Sequence, residues 1–255
     1  MCQGSGIISS MTDSVTAICA VVPAHNEELL IGRCLESLTV AARHARTAYR
    51  TVRVRVVVVA DACTDDTARI AASFPGIDVL SLHARTVGAA RAEGVDFALA
   101  AFRHDPEFDP ASHAGWIGST DADSVVPRNW FTTQIDLAEA GHDVMIGTVR
   151  PDYGDLSSDQ VAAWTARHRP GNPNGHVHGA NLGVRASSYL KVGGFLPLVQ
   201  HEDVDLVGRL KQDGARLVAS EACEVLTSGR QIGKTPGGYA RYLAEDLTGD
   251  DTAVA

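Results

Sequence analysis

VRVRVVVVADACTDDT, residues 52–67, sets the frame for reading the rest of the chain. From Val56 to Ala60 no polar residue interrupts the run. A strand with one wet face alternates apolar and polar side chains, so an uninterrupted run predicts a strand covered on both faces, as in parallel sheets. Asp61 ends the run directly, and Thr64, Asp65 and Asp66 follow it. Polar groups placed this way fall at the carboxyl edge of the sheet.

Outward from this stretch the same pattern repeats. TAICAVV (16–22) is a second β-branched run, and Ile31, Leu35, Leu38 and Ala42 recur between the two at helical spacing, giving strand, helix, strand. IDVLSL (77–82), GWIGST (115–120) and DVMIGTV (143–149) continue the strands, with helix candidates over 64–73, 87–103 and 127–140. Such alternation predicts an α/β fold, a mostly parallel central sheet with helices on both faces. Beyond residue 150, RHRPGNPNGHVHGANLG (167–183) is dense in Gly, Pro, Asn and His, which is loop chemistry suited to a binding surface. Helical pattern returns over 184–192 and 203–213, the latter stopped by Gly214. No linker, repeat or low-complexity segment divides the chain, so one domain is expected over 15–255, after a loose tail at 1–14.

Composition excludes several classes. The chain of 255 residues is 45% apolar, enough for a globular core. A formal charge of -9 argues against a broad nucleic-acid or anionic-membrane surface, and the basic cluster at 43–55 reads as a solvated helix end and edge strand. No run approaches the ~18–20 apolar residues of a membrane span, and no basic segment followed by an apolar one opens the sequence. No transmembrane segment and a cytoplasmic location are therefore expected. The five cysteines lack C-x-x-C spacing and read as reduced thiols.

WIGSTDADSV (116–125) sets Asp121 and Asp123 one residue apart after a short apolar run. The triplet alone carries nothing, since random placement of 21 Asp gives roughly 1.7 such triplets and the chain holds two. Context changes its weight. PAHNEE, DACTDDT, RTVGAARAEG and TDAD follow four successive strands, and in such sheets ligands sit outside the carboxyl ends. Four polar clusters on one edge would converge on one crevice.

AVVPAHNEE, VVVVADACTDDT, GAARAEG, STDADSVVPRNWF, GANLGVRASSYLKVGGF and HEDVDLVGRL together resemble the family 2 glycosyltransferases, in that family's order and approximate spacing, over residues 17 to about 227. The resemblance implies the A-type glycosyltransferase fold and inverting sugar transfer from a UDP-, GDP- or dTDP-sugar to an acceptor hydroxyl. It further implies a nucleotide-binding half at about 15–150, an acceptor-binding half at about 151–235, and a C-terminal helix and tail at 236–255. Pro23, Ala24, His25 and Glu27 would line base and ribose, Asp61 would accept from the base N–H, and Arg91 would bind the nucleotide. By the same resemblance Asp123 touches a metal, Mg²⁺ or Mn²⁺, while Asp121 holds ribose or metal, in keeping with the oxygen ligands such ions take.

Sugar transfer also needs a base for the acceptor hydroxyl. Leu206 and Leu210 mark a buried helix face, which puts Glu202 and Asp203 at the helix start, where the dipole favours ionised carboxylates. By resemblance Asp203 is the base, and Glu202 orients it or binds acceptor. HGANLGVR resembles the family's acceptor-side loop, which would put Gly179 and Asn181 near the donor sugar and His178 toward the acceptor. One departure stands out: the family's late His, a third metal ligand, is absent from EVLTSGRQIGKTPGGY, which offers Thr227, Ser228 and Arg230. Two consequences stay open, a metal held by fewer protein atoms, or Arg230 and Lys234 clamping the leaving group. The absence also keeps open a sugar-nucleotide-binding protein or partner subunit without turnover.

Overall fold

A computed structural model of the chain describes residues 14–106, 108–234 and 238–247. The elements run β1 (Ala17–Ala24), α1 (Ile31–Ala48), β2 (Arg53–Asp61), α2 (Thr67–Ala72), β3 (Ile77–Leu82), α3 (Val87–Phe102), β4 (Gly115–Ser119), α4 (Trp130–Glu139) and β5 (Val144–Pro151). Then come α5 (Ser158–Arg167), β6 (Leu182–Arg185), α6 (Ala186–Lys191), α7 (Glu202–Gln212), β7 (Leu217–Thr227) and α8 (Tyr239–Arg241). All seven strands join one sheet in the order β3-β2-β1-β4-β6-β5-β7.

Strand direction decides where the polar clusters meet. β1 pairs in parallel with β2 and β4, and β2 with β3. β6 is antiparallel to both β4 and β5, and β7 is parallel to β5, so only β6 runs against the rest. The carboxyl ends Ala24, Asp61, Ser119, Pro151 and Thr227 therefore share one edge. An isolated bridge between Val125 and Leu226 ties the segment after β4 to the end of β7.

The sheet is covered on both faces, as the Val56–Ala60 run requires. Ile18, Ala20 and Val22 of β1 with Val54, Val56 and Val58 of β2 pack under Leu35 and Leu38 of α1 and Phe131 and Ile135 of α4. The alternate residues, Cys19, Val21, Val57 and Val59, pack under Val95, Ala98 and Leu99 of α3 and Leu206 and Leu210 of α7. Period-two alternation in the strands thus feeds two cores.

Two local expectations are corrected. Residues 184 and 185, expected as helix, end strand β6, and the helix begins only at Ala186. The short run LGVR is buried throughout, so it carries no period that separates strand from helix. Helix α5 arises where none was expected, nucleated by a capping box in which Ser157 and Gln160 bond reciprocally to each other's backbone N–H. Its Trp164 packs against Leu243 and Leu247. After β7, α8 runs into a π-helical turn at Tyr242–Asp246. Residues 1–13 and 248–255, most of the expected tails, lie outside the described residues. Among the described residues no helix is long and apolar enough to cross a membrane.

Leu35 is fully buried and Leu29 is exposed. Leu35→Ala is expected to lower the unfolding free energy by about 2–5 kcal/mol, and Leu29→Ala to change it by about 0.5 kcal/mol or less. Urea unfolding curves of the two variants check the difference.

Candidate active site

The carboxyl edge gathers the acidic residues through a continuous set of polar contacts. At the end of β2, Asp61 is buried; its Oδ2 accepts from the Thr86 N–H at 3.1 Å, and its backbone oxygen lies 2.7 Å from His25 Nδ1. Asp61 Oδ1 and the Thr86 hydroxyl are both buried without a hydrogen-bond partner among the described residues. Buried polar atoms are ordinarily paired, so an acceptor and a hydroxyl left open on two residues already joined by a hydrogen bond are suited to a ligand offering both N–H and C=O. Thr86 escaped the sequence reading; its position before α3, between Arg85 and the GAARAEG segment, was the available signal.

Beyond β4, Asp121 and Asp123 each meet a different cation. Arg91 Nη2 donates to Asp121 Oδ1 at 2.6 Å, and Arg230 Nη2 donates to Asp123 Oδ2 at 2.6 Å. The Ser124 and Thr227 hydroxyls lie 3.3 and 3.4 Å from Asp123 Oδ1. Burial, followed by the Asp121 charge, pushes the Asp123 carboxyl up to about 6, with Arg230 opposing. Burial raises Asp121 as well, against the pull of Arg91.

Arg91 is a buried hub of this edge. Besides Asp121, its guanidinium donates to the Gly179 carbonyl at 2.7 Å and to the Ser119 hydroxyl, and Nε lies 3.0 Å from Glu202 Oε1. Local sequence explains its position: a Cβ at Gly94 would stand 2.5 Å from Val21 Cγ1, so α3 lies against the sheet and holds Arg91, one turn earlier, over the end of β4. Burial raises the Glu202 carboxyl, with Arg91 opposing. Asp203, next in line at the start of α7, accepts from the Gly179 N–H at 2.6 Å and the Val204 N–H at 2.8 Å. Gly179 therefore joins Arg91 to Asp203 through its own peptide groups, and a Cβ there would fall 2.3 Å from Arg91 Nη2.

The segment after β7 closes over the first strand end. Glu27 takes Arg230 in a fork, at 2.8 Å to Oε1 and 3.1 Å to Oε2, and Lys234 Nζ at 3.1 Å. Lys234 also donates to the His25 carbonyl at 2.7 Å and to that of Asn26, a residue with φ of 51°. From Asp61 through His25, Lys234, Glu27 and Arg230 to Asp123, and from Asp121 through Arg91 to Asp203, the contacts are unbroken.

The family model of Glycosyl transferase family 2 matches residues 19–187. The chain belongs to glycosyl transferase family 2. No curated protein matches it. Among solved structures, S. aureus TarS 1-349 in complex with UDP-GlcNAc is 16% identical with a TM-score of 0.59, over 88% of this chain and 61% of that one. Mannosyltransferase PcManGT from Pyrobaculum calidifontis, in complex with GDP-Man and Mn²⁺, is 19% identical with a TM-score of 0.55, over 94% of this chain and 73% of that one. The chain thus spans less than two thirds of the TarS structures it matches. At these identities the likeness establishes the fold, the A-type glycosyltransferase (GT-A) sheet.

Within this family 2 chain, some residues sit differently from the expectation. Asn181 is fully buried, and its amide bonds Thr148 O at 2.8 Å, Cys223 O at 2.9 Å and Trp130 Nε1 at 2.9 Å, leaving no surface for a sugar. It pins the loop ahead of β6. Arg91 likewise faces protein partners, Ser119, Gly179, Asp121 and Glu202. His178 stands against Tyr239 with ring centroids 5.7 Å apart, and burial lowers it to about 4, with Asp203 opposing, which leaves it neutral at pH 7.

Arg91→Met strands two carboxylates without their buried cation. The expected loss is about 3–5 kcal/mol at pH 7. It should shrink in acid, where Glu202 and Asp121 take up protons and no charge is left uncompensated. Urea unfolding at pH 7 and pH 5 measures both the loss and its sign.

Proposed function

We propose that this chain transfers a sugar from a nucleotide-diphosphate sugar (UDP-, GDP- or dTDP-linked) to an acceptor hydroxyl with inversion at the anomeric carbon. The carrying observation is the pair of open buried atoms, Asp61 Oδ1 and Thr86 Oγ1, on the sheet edge that also holds Asp203. A nucleotide base meets Asp61 and Thr86, beside Pro23, Ala24 and the exposed His25 ring. Its diphosphate then extends toward Asp121 and Asp123, and the sugar toward Gly179.

Asp203 is the base. Both its oxygens already accept a backbone N–H, which fixes the carboxylate, and each keeps a further lone pair for the acceptor hydroxyl. The acceptor oxygen bonds to the anomeric carbon as its proton passes to Asp203, and the bond from that carbon to the diphosphate oxygen breaks with its electron pair leaving on the nucleotide. Glu202, held by Arg91, orients the start of α7, and neutral His178 flanks the acceptor approach.

The leaving diphosphate needs positive charge. Hard oxygen donors suit Mg²⁺ or Mn²⁺, and one or two carboxylates suffice beside phosphate oxygens and water. Asp121, whose side chain is 38% exposed and whose Oδ1 alone is taken by Arg91, fits that requirement; Asp123 fits through whichever oxygen its hydroxyl and Arg230 contacts release. A bound ion would supply Lewis-acid neutralisation of the departing charge. Arg230 and Lys234 stand beside the same path and add to it.

Asp203→Asn is expected to lower transfer by about 10²–10⁴-fold while leaving donor affinity unchanged. Product formation with a panel of sugar nucleotides and acceptors, set beside calorimetric donor binding, separates the two. Turnover retained in the variant removes Asp203 as base.

A further inference from the structure

Arg230 is paired with Asp123, one of the two carboxylates offered to a divalent ion. Its Nη2 lies 2.6 Å from Asp123 Oδ2, on a carboxylate whose other oxygen faces the Ser124 and Thr227 hydroxyls. The same guanidinium is held from behind by the buried Glu27 carboxylate through two bonds, at 2.8 and 3.1 Å. Lys234 fastens the far end of this segment to the carbonyls of His25 and Asn26 and to Glu27 Oε1. Asp121, in contrast, is paired with the buried Arg91, which is held by three further protein groups.

We infer that Arg230 is the resident counter-ion of Asp123, and that a divalent cation reaches Asp123 only by exchanging with it as the donor diphosphate arrives. The inference rests on the reading of Asp121 and Asp123 as the pair that faces the diphosphate. Exchange is feasible because Arg230 is anchored twice. Leaving Asp123 breaks one bond and keeps the Glu27 fork, so the guanidinium remains paired and its charge stays beside the site. A lone cation offers no such arrangement: it must evict a charge-assisted bond and then sits against a positive neighbour. A cation brought with a diphosphate meets additional anionic oxygens, and Arg230 gains a new acceptor in the same move. The segment at 228–234 thereby sets the order of binding, with the ion retained only when a donor is present.

Direct Mn²⁺ binding tests the inference without relying on turnover. Electron paramagnetic resonance of free Mn²⁺ gives the affinity of the donor-free wild-type protein, Arg230→Met and Arg230→Lys. Arg230→Met, which uncovers Asp123, is expected to bind Mn²⁺ at least about tenfold more tightly than wild type, because the net charge of the ligand set governs affinity for hard ions. Arg230→Lys retains the charge and should stay near wild type, and adding Asp123→Asn to Arg230→Met should abolish the gain. Matching far-UV dichroism and melting temperature exclude misfolding as the source of any change. Affinity for Mn²⁺ equal within twofold in wild type and Arg230→Met overturns the exchange, as does a gain that survives Asp123→Asn. Titrations of UDP, GDP and dTDP with and without Mn²⁺ report separately on the donor reading. Tightened Mn²⁺ binding in Arg230→Met with no nucleotide bound by any form would leave Arg230 as the counter-ion of Asp123, and would overturn both the coupling to a donor and the proposed function.

Discussion

A guanidinium buried between carboxylates from distant parts of the chain organises the functional edge of this molecule. Arg91 rises from α3 and reaches Asp121 after β4, Glu202 at the start of α7 and the Gly179 carbonyl ahead of β6. Burial works against its charge, and Asp121 and Glu202 outweigh that penalty and keep it protonated. Each of these acids is itself pushed toward neutrality by desolvation, so the three groups hold one another in the charged state. The dependence reaches back into the sheet: Arg91 arrives at its position only because Gly94 lets α3 settle onto Val21 and Val59.

The two halves of the site differ in how firmly they are fixed. At the start of α7, Asp203 is held by backbone N–H groups, and Gly179, which supplies one of them, has no room for a side chain beside Arg91. Rigid placement of this kind is what a proton acceptor needs. Across the edge, Arg230 and Lys234 are partly exposed and come from a segment that follows the last strand. Their contacts span Glu27, His25, Asn26 and Asp123, so that segment bridges the first strand end and the Asp-x-Asp turn.

The fold was legible because its strongest signal is physical and local. An apolar run from Val56 to Ala60 has only one comfortable environment, between two layers of helices, and the alternation around it follows. The sheet edge was legible for the same reason, since Asp61 and the Asp121 pair stand directly after buried strands. What was hidden depends on tertiary partners. Nothing in LGVR distinguishes an inserted antiparallel strand from the helix that follows it, because the pairing that decides it comes from β4 and β5. Asn181 looked like a polar loop residue available to a sugar, but three amide bonds from three separate segments bury it. Arg91 read as a ligand contact because its two carboxylate partners lie 30 and 111 residues away. Thr86 carried no signal beyond its place before a helix; only an unpaired hydroxyl, on a residue whose N–H bonds a carboxylate with an unpaired oxygen, singles it out.

In the proposed function the open acceptor at the end of β2 receives a nucleotide base. Calorimetric titration of UDP, GDP and dTDP into the protein and into Asp61→Ala tests it most directly. The account expects one of the three to bind the wild-type protein and to lose at least about tenfold in affinity in the variant, the cost of removing a buried charged acceptor. Equal affinity in both proteins, or no binding of any nucleotide diphosphate, would contradict it.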